Sequence, residues 1–210
     1  MKSWKKVTAV LIAALLCTSC GAALAKTEDF READRPQWYA EYLAALCILD
    51  QEETAAFGSE EEISRGEMAK LLVTALGYER QAAVSCGGEQ FPDYDPENPY
   101  AREIGLCAQL GILSGDGDGQ IKADQPVTAS QAAKMLVTAL GYGIYAENQG
   151  GYPSGYLLQA GQLRLLRGVP AREGDALAKK DAAAMLYNAL DVPVLKLVGI
   201  SEKEVYEKNK

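Results

Sequence analysis

The chain has 210 residues, with 29 Asp plus Glu against 21 Lys plus Arg, five Cys and no His. Without an imidazole there is no Ser-His or Cys-His nucleophilic system and no histidine-ligated zinc or haem site, since each needs that ring to move a proton or donate a lone pair. A hydrophobic fraction of 48% with 24% charged residues is that of a globular protein, and a net charge of −8 argues against general affinity for nucleic acid or anionic membranes, which needs a basic footprint.

Residues 1–25 read as a signal peptide: a basic start (Lys2, Lys5, Lys6), an apolar run from Val7 to Leu16, and a small-residue exit at Ala23-Leu24-Ala25. The run is shorter than the ~20 residues of a spanning helix, so cleavage after Ala25 is expected. The alternative is lipid attachment at Cys20, although Cys17 stands three residues before it, where the lipoprotein pattern usually has Leu. Cleavage after Ala25 leaves 18 basic against 29 acidic groups, a net of −11. It also leaves Cys47, Cys86 and Cys107, an odd number that forms no closed disulfide framework and whose spacing matches no zinc or redox motif. Cys47 and Cys107 read as small apolar helix residues.

Past the leader the chain repeats itself. Ala69 to Tyr78 and Ala133 to Tyr142 share nine of ten residues at an offset of 64, and the register holds upstream, with Leu46, Ile48 and Leu49 falling on Leu110, Ile112 and Leu113. A worn third copy spans Tyr152 to Leu190, its helix Ala183 to Leu190 matching at an offset of 50. Self-similarity at a period of about 50 residues means stacked supersecondary units.

In the first copy Trp38, Tyr39 and Tyr42 precede Leu43 and Leu46 at helical spacing and read as core, with a sugar-stacking platform as the alternative. Ser64 with Glu67 then forms a capping box that opens a second helix. In the second copy Pro99 to Leu110 places Ile104, Cys107 and Leu110 on one apolar stripe, ended by Gly111. Gly115, Gly117 and Gly119 make the following stretch a loop. Thr128 with Gln131 caps a helix that stops at Gly141. Such a unit cannot bury its stripes alone, so three must share a core, with the apolar second helices at its centre. Val192 to Val198 alternates weakly, and Ser201 to Lys210, opening on Ser201 and Glu204, reads as a frayed surface helix. The predicted divisions are 1–25 signal peptide, 26–78 first repeat, 79–142 second, 143–192 degenerate third, and 193–210 tail.

These residues resemble the S-layer homology (SLH) repeat. The second copy carries FPD at Phe91 to Asp93, Gly111-Ile112-Leu113-Ser114-Gly115, a Gly/Asp loop at Asp116 to Gly119, and Val127-Thr128-Ala129-Ser130-Gln131 where the family has I-T-R-A-E. The same box is Ile63-Ser64-Arg65-Gly66-Glu67 in the first copy and Leu177-Ala178-Lys179-Lys180-Asp181 in the third. The resemblance implies an all-α fold in which three helix-loop-helix repeats form a pseudo-threefold spindle around a central helical bundle. It also implies non-enzymatic anchoring at the bacterial cell wall or S-layer, with no cofactor, through grooves that hold a pyruvylated secondary cell-wall polysaccharide. Arginine's planar fork matches a ketal-linked carboxylate, and a helix N-terminus adds N–H groups and a positive dipole end. The resemblance places ligand roles on Arg65, Ser64 and Glu67, on Lys179 and on Thr128. Ala129 stands where the second copy should have its arginine, so fewer than three competent grooves are expected. Arg65 beside Lys70, and Lys179-Lys180 with Arg172, are the local cations.

Asp116-Gly117-Asp118-Gly119 invites a calcium-loop reading, but Gln120, Ile121 and Val127 occupy the third-ligand, glycine and bidentate-glutamate positions of such a loop. A Gly-permitted turn is expected there. The alternative to wall anchoring is an exported structural or protein-interaction domain whose wall-binding sites have decayed.

Overall fold

The computed structural model describes residues 35–85, 87–170, 172–200 and 204–208. The signal peptide, Cys20, Cys86 and the Ser201 cap expected of the tail lie outside the described residues.

Each copy contributes a first helix and a longer apolar second helix. The first helices are α1 (Arg35–Ala45), α4 (Ala101–Gln109) and α7 (Ser154–Gln162). The second helices are α2 (Arg65–Leu76), α5 (Ala129–Ala139) and α8 (Lys179–Ala189). Short helices α3 (Glu79–Ala82) and α6 (Gly143–Asn148) follow α2 and α5. The capping boxes form as predicted. Ser64 Oγ accepts from the Glu67 N–H at 3.1 Å while Glu67 Oε2 accepts from the Ser64 N–H at 2.8 Å, and Thr128 and Gln131 repeat the exchange at 3.3 and 3.0 Å. Ala178 has no side chain to offer, so α8 lacks a side-chain cap, and its first N–H groups donate to Glu61 O at 2.6 Å and Ser59 O at 3.2 Å as those of α2 donate to Gln125 O and Ala123 O.

The second helices supply much of the core, with Met68, Leu71 and Leu72 of α2, Leu136 of α5, and Met185 of α8 all sealed from solvent. The copies interlock in a circle. The first helix of the second copy, α4, packs on α2 of the first, α7 packs on α5, and α1 closes the circle against α8. No copy therefore covers its own second helix with its own first helix, which is a physical reason for three to fold together.

Two rings of backbone hydrogen bonds lock this circle at the helix entries. In one, the N–H of Ile63 donates to Leu177 O at 3.0 Å, that of Leu177 to Val127 O at 2.8 Å, and that of Val127 to Ile63 O at 2.9 Å. In the other, running in the opposite sense, Arg65 donates to Gln125 O at 3.0 Å, Ala129 to Asp175 O at 3.2 Å, and Lys179 to Glu61 O at 2.6 Å. Isolated bridges Ser64–Pro126, Thr128–Ala176 and Glu62–Ala178 trace the same triangle. Buried backbone groups need partners, and here each copy satisfies its neighbours.

Three predictions are corrected. Leu110 is 45% exposed, because α4 ends at Gln109 and the chain turns away through Gly111 at φ 68°. Cys47 is no helix residue. It takes the same left-handed turn at φ 58° and is exposed, whereas Cys107 is buried in α4. The tail is no helix either: β1 (Leu195–Ile200) pairs antiparallel with β2 (Glu204–Lys208), Leu195 opposite Lys208, with an irregularity between Leu197 and Gly199. The Leu195 N–H reaches Leu140 O at 2.9 Å, so a strand start already tied to the end of α5 directs the chain into a hairpin.

Candidate functional site

The first turn of α2 meets the loop of the second copy in a groove of about 480 Å³, floored by Ile112, Leu113 and Met135 and walled by Arg65, Lys134 and Tyr152. The loop is held in place from behind. Both Asp93 carboxylate oxygens accept backbone N–H bonds at 2.8 Å, from Ile121 and Lys122. Burial works against the charged Asp93, but these two bonds outweigh it and hold the carboxyl below the usual range. Asp116 pairs with Lys122 and accepts from the N–H groups of Asp118 and Gln120 at 2.9 and 3.1 Å, a self-contained turn.

Arg65 is 7% exposed. Its Nη2 donates to Ser114 O at 2.9 Å, and its Nε is buried with no hydrogen-bond partner. Burial depresses the guanidinium pKa, against the pull of Asp116, Tyr152 and Asp93. No carboxylate stands within ion-pairing distance of Arg65 or Lys134 among the described residues. Lys134 Nζ donates to Ser114 Oγ at 3.0 Å and lies 5.5 Å from the Tyr152 ring centre and 5.9 Å from that of Tyr156. Ser130 Oγ donates to Glu173 O at 2.7 Å, so its single proton is committed and the Tyr152 hydroxyl, 3.2 Å away, donates to it. The Tyr152 ring is thereby fixed as a wall. The result is a forked cation and an ammonium facing one space, with aromatic flanks and an unmet buried donor, an arrangement suited to a carboxylate-bearing ligand.

The sequence-predicted residues do not all gather here. Ser64 and Glu67 are engaged in the α2 cap, and Thr128 in the α5 cap. Lys179, the third-copy counterpart of Arg65, does not line this groove and is 13% exposed at its side chain, with Nζ 3.0 Å from Glu67 Oε1 and 3.2 Å from Glu61 Oε2. Burial alone would lower its pKa, yet the bonds to Glu67 and Glu61 carry it above the ordinary lysine value. Lys70 is not beside Arg65. It turns to Asp50 at 3.3 Å and Glu53 at 2.8 Å, because residues five apart on a helix point about 140° away from each other. Sequence reasoning missed Lys134 and Tyr152. Lys134 is the offset-64 counterpart of Lys70, a signal that was present, whereas nothing local placed Tyr152 of the third copy against the second.

Residues 90–133 match the family model of the S-layer homology domain. It is also similar to a cell surface protein of Thermoanaerobacter kivui, 29% identical over 203 residues that cover 94% of this chain and 26% of the relative. The middle cell wall protein of Brevibacillus brevis is 28% identical over 200 residues (92% and 19%), and the surface layer protein of Brevibacillus choshinensis 27% over 198 residues (92% and 17%). The chain spans about a quarter or less of the length of these relatives.

Proposed function

We propose that this protein is an exported cell-envelope anchoring module that holds an anionic wall polysaccharide, of the pyruvylated kind, in the groove between Arg65 and Lys134. The buried Arg65 carries this reading: among the described residues its Nε has no acceptor and its side chain makes one hydrogen bond, to Ser114 O, which leaves a planar fork at a groove that a carboxylate would complete. Lys134 adds a second charge, and Tyr152 a face for the sugar. The names of the similar proteins, from cell surface, cell wall and surface layer, support the same location. The role is binding. The groove presents the cations of Arg65 and Lys134, the Tyr152 ring and the Asp116 carboxylate, which Lys122 and two backbone N–H groups already engage.

Of the three equivalent helix starts, that of Arg65 is the one suited to an anion. Lys179 is neutralised by Glu61 and Glu67, and the second copy offers Ala129 in place of a cation. The test is co-sedimentation of the purified protein with native walls and with walls stripped of their polysaccharide. Pelleting with native walls alone, lost in Arg65→Ala, is the expected result. Failure of the wild type to pellet, or equal pelleting of the variant, would overturn the reading in favour of an exported protein-interaction domain with decayed wall-binding sites.

A further inference from the structure

The starts of α2 and α5 each carry a tyrosine from the copy that follows, but on different footings. Tyr100, the residue before α4, lies on the first turn of α2 with its ring against Gly66, where an added Cβ would stand 2.6 Å from the ring. Tyr152, two residues before α7, meets the first turn of α5, where Ser130 is the offset-64 counterpart of Gly66. A side chain at that position keeps the ring from settling on the helix. Tyr100 is half-buried, whereas Tyr152 is 48% exposed and forms a wall of the Arg65 groove.

Ser130 also decides where the Tyr152 hydroxyl sends its proton. Ser130 is buried, and its Oγ has three oxygens within hydrogen-bond distance: Glu173 O at 2.7 Å, Thr128 Oγ1 at 3.1 Å and Tyr152 Oη at 3.2 Å. A carbonyl only accepts, so the one proton of Ser130 goes to Glu173. Thr128 and Tyr152 must then both donate to Ser130, one to each lone pair. Thr128 is able to do so because its oxygen meanwhile accepts the Gln131 N–H of the cap. Tyr152 is left with a committed proton and with lone pairs that no other described residue engages.

That asymmetry defines what a ligand must offer. Arg65 and Lys134 only donate, so their end of the groove takes an acceptor such as a carboxylate. Tyr152 Oη only accepts, so its flank takes a donor. Resting on the reading of this groove as an anion site, we propose that Tyr152, oriented by Ser130, is its specificity contact, selecting an acidic sugar with a free hydroxyl over an anion that presents acceptors alone. Ser130 acts through Tyr152 and is a positioning residue. A hydroxyl in its place is not needed to start the helix, since α2 and α8 begin with Gly66 and Lys180 there.

The test uses two matched probes, a methyl glucoside carrying a pyruvate ketal and the same compound with its remaining hydroxyls methylated, titrated calorimetrically into the full chain. The two share the carboxylate and the ring, and only the first can donate. The wild type is expected to prefer the first about fivefold, the worth of one neutral hydrogen bond. Tyr152→Phe, which keeps the ring and removes the acceptor, should bring the two probes within about twofold of each other. Ser130→Ala should do the same, because it frees the phenol proton to point at the ligand. A purely structural role for either residue would weaken both probes together and leave their ratio alone. Arg65→Ala should abolish binding of both. The proposal is overturned if the wild type does not distinguish the probes, or if its preference survives in Tyr152→Phe or in Ser130→Ala. Binding of neither probe by the wild type, or undiminished binding by Arg65→Ala, overturns the anion-groove reading and this inference with it, so the two failures are told apart.

Discussion

Arg65 and Lys179 occupy the same place in two copies of one scaffold, each donating its backbone N–H into the same hydrogen-bonded ring. Their side chains face different company. Arg65 meets the Ser114 carbonyl, with Lys134 alongside, whereas Lys179 meets Glu61 and Glu67, and Lys70, the counterpart of Lys134, meets Asp50 where the other groove has Ser114. Among the described residues Arg65 and Lys134 have no carboxylate partner, while Lys179 and Lys70 are both paired. The ring that holds the copies together uses backbone atoms alone, so groove side chains are free to diverge without loosening the triangle.

The sharpest way to break the comparison is to exchange its charges. Arg65→Ala should reduce wall affinity about tenfold or more, the cost of a buried charge-assisted contact, while Lys179→Ala should stay within about twofold in the same co-sedimentation. Next, Glu61→Gln with Glu67→Gln should free Lys179 and raise wall affinity severalfold. Gln131 shows that glutamine at this position completes a capping box, so α2 keeps its start and the gain is read against an unchanged fold.

The caps give a smaller contrast. Ser64→Ala should cost about 1 kcal/mol by urea unfolding, and Ala178→Ser should add about 0.5 kcal/mol, since Asp181 already stands three residues on to complete a box. The smallest effect is in alkaline pH. Lys179 has a folded pKa above its unfolded one, so its contribution is fully present below about pH 10.4 and is lost as pH rises through the raised value. Thermal melts across that range should show the Glu61→Gln, Glu67→Gln variant losing less stability than wild type. A slope equal to wild type would mean that the ion pairs do not matter to folding.

Most helix starts and stops were legible because their causes are local. A hydroxyl three residues before an amide or acid caps a helix, and a glycine after the apolar stripe ends it, as at Ser64, Thr128 and Gly111. Arg65 was legible as the site's first cation through its place in the box. Lys179 was legible as a cation but not as a neutralised one, since Glu61 lies 118 residues away in the chain. The tail misled because Ser201 and Glu204 satisfy the local capping rule, while the pairing of β1 with β2 depends on residues up to 13 apart in the chain, Leu195 opposite Lys208.

By itself the sequence determined the helical class, the threefold repetition, two of the three caps and the exclusion of histidine chemistry, all of which depend on residue type and short spacing. The tertiary structure decided which copies touch. It set α1 against α8, turned Lys70 away from Arg65, brought Lys134 and Tyr152 to the groove, and paired Lys179 with two glutamates. Charge counts along a chain carry no distance, and whether a cation binds a ligand or a neighbouring carboxylate is decided within a few ångströms.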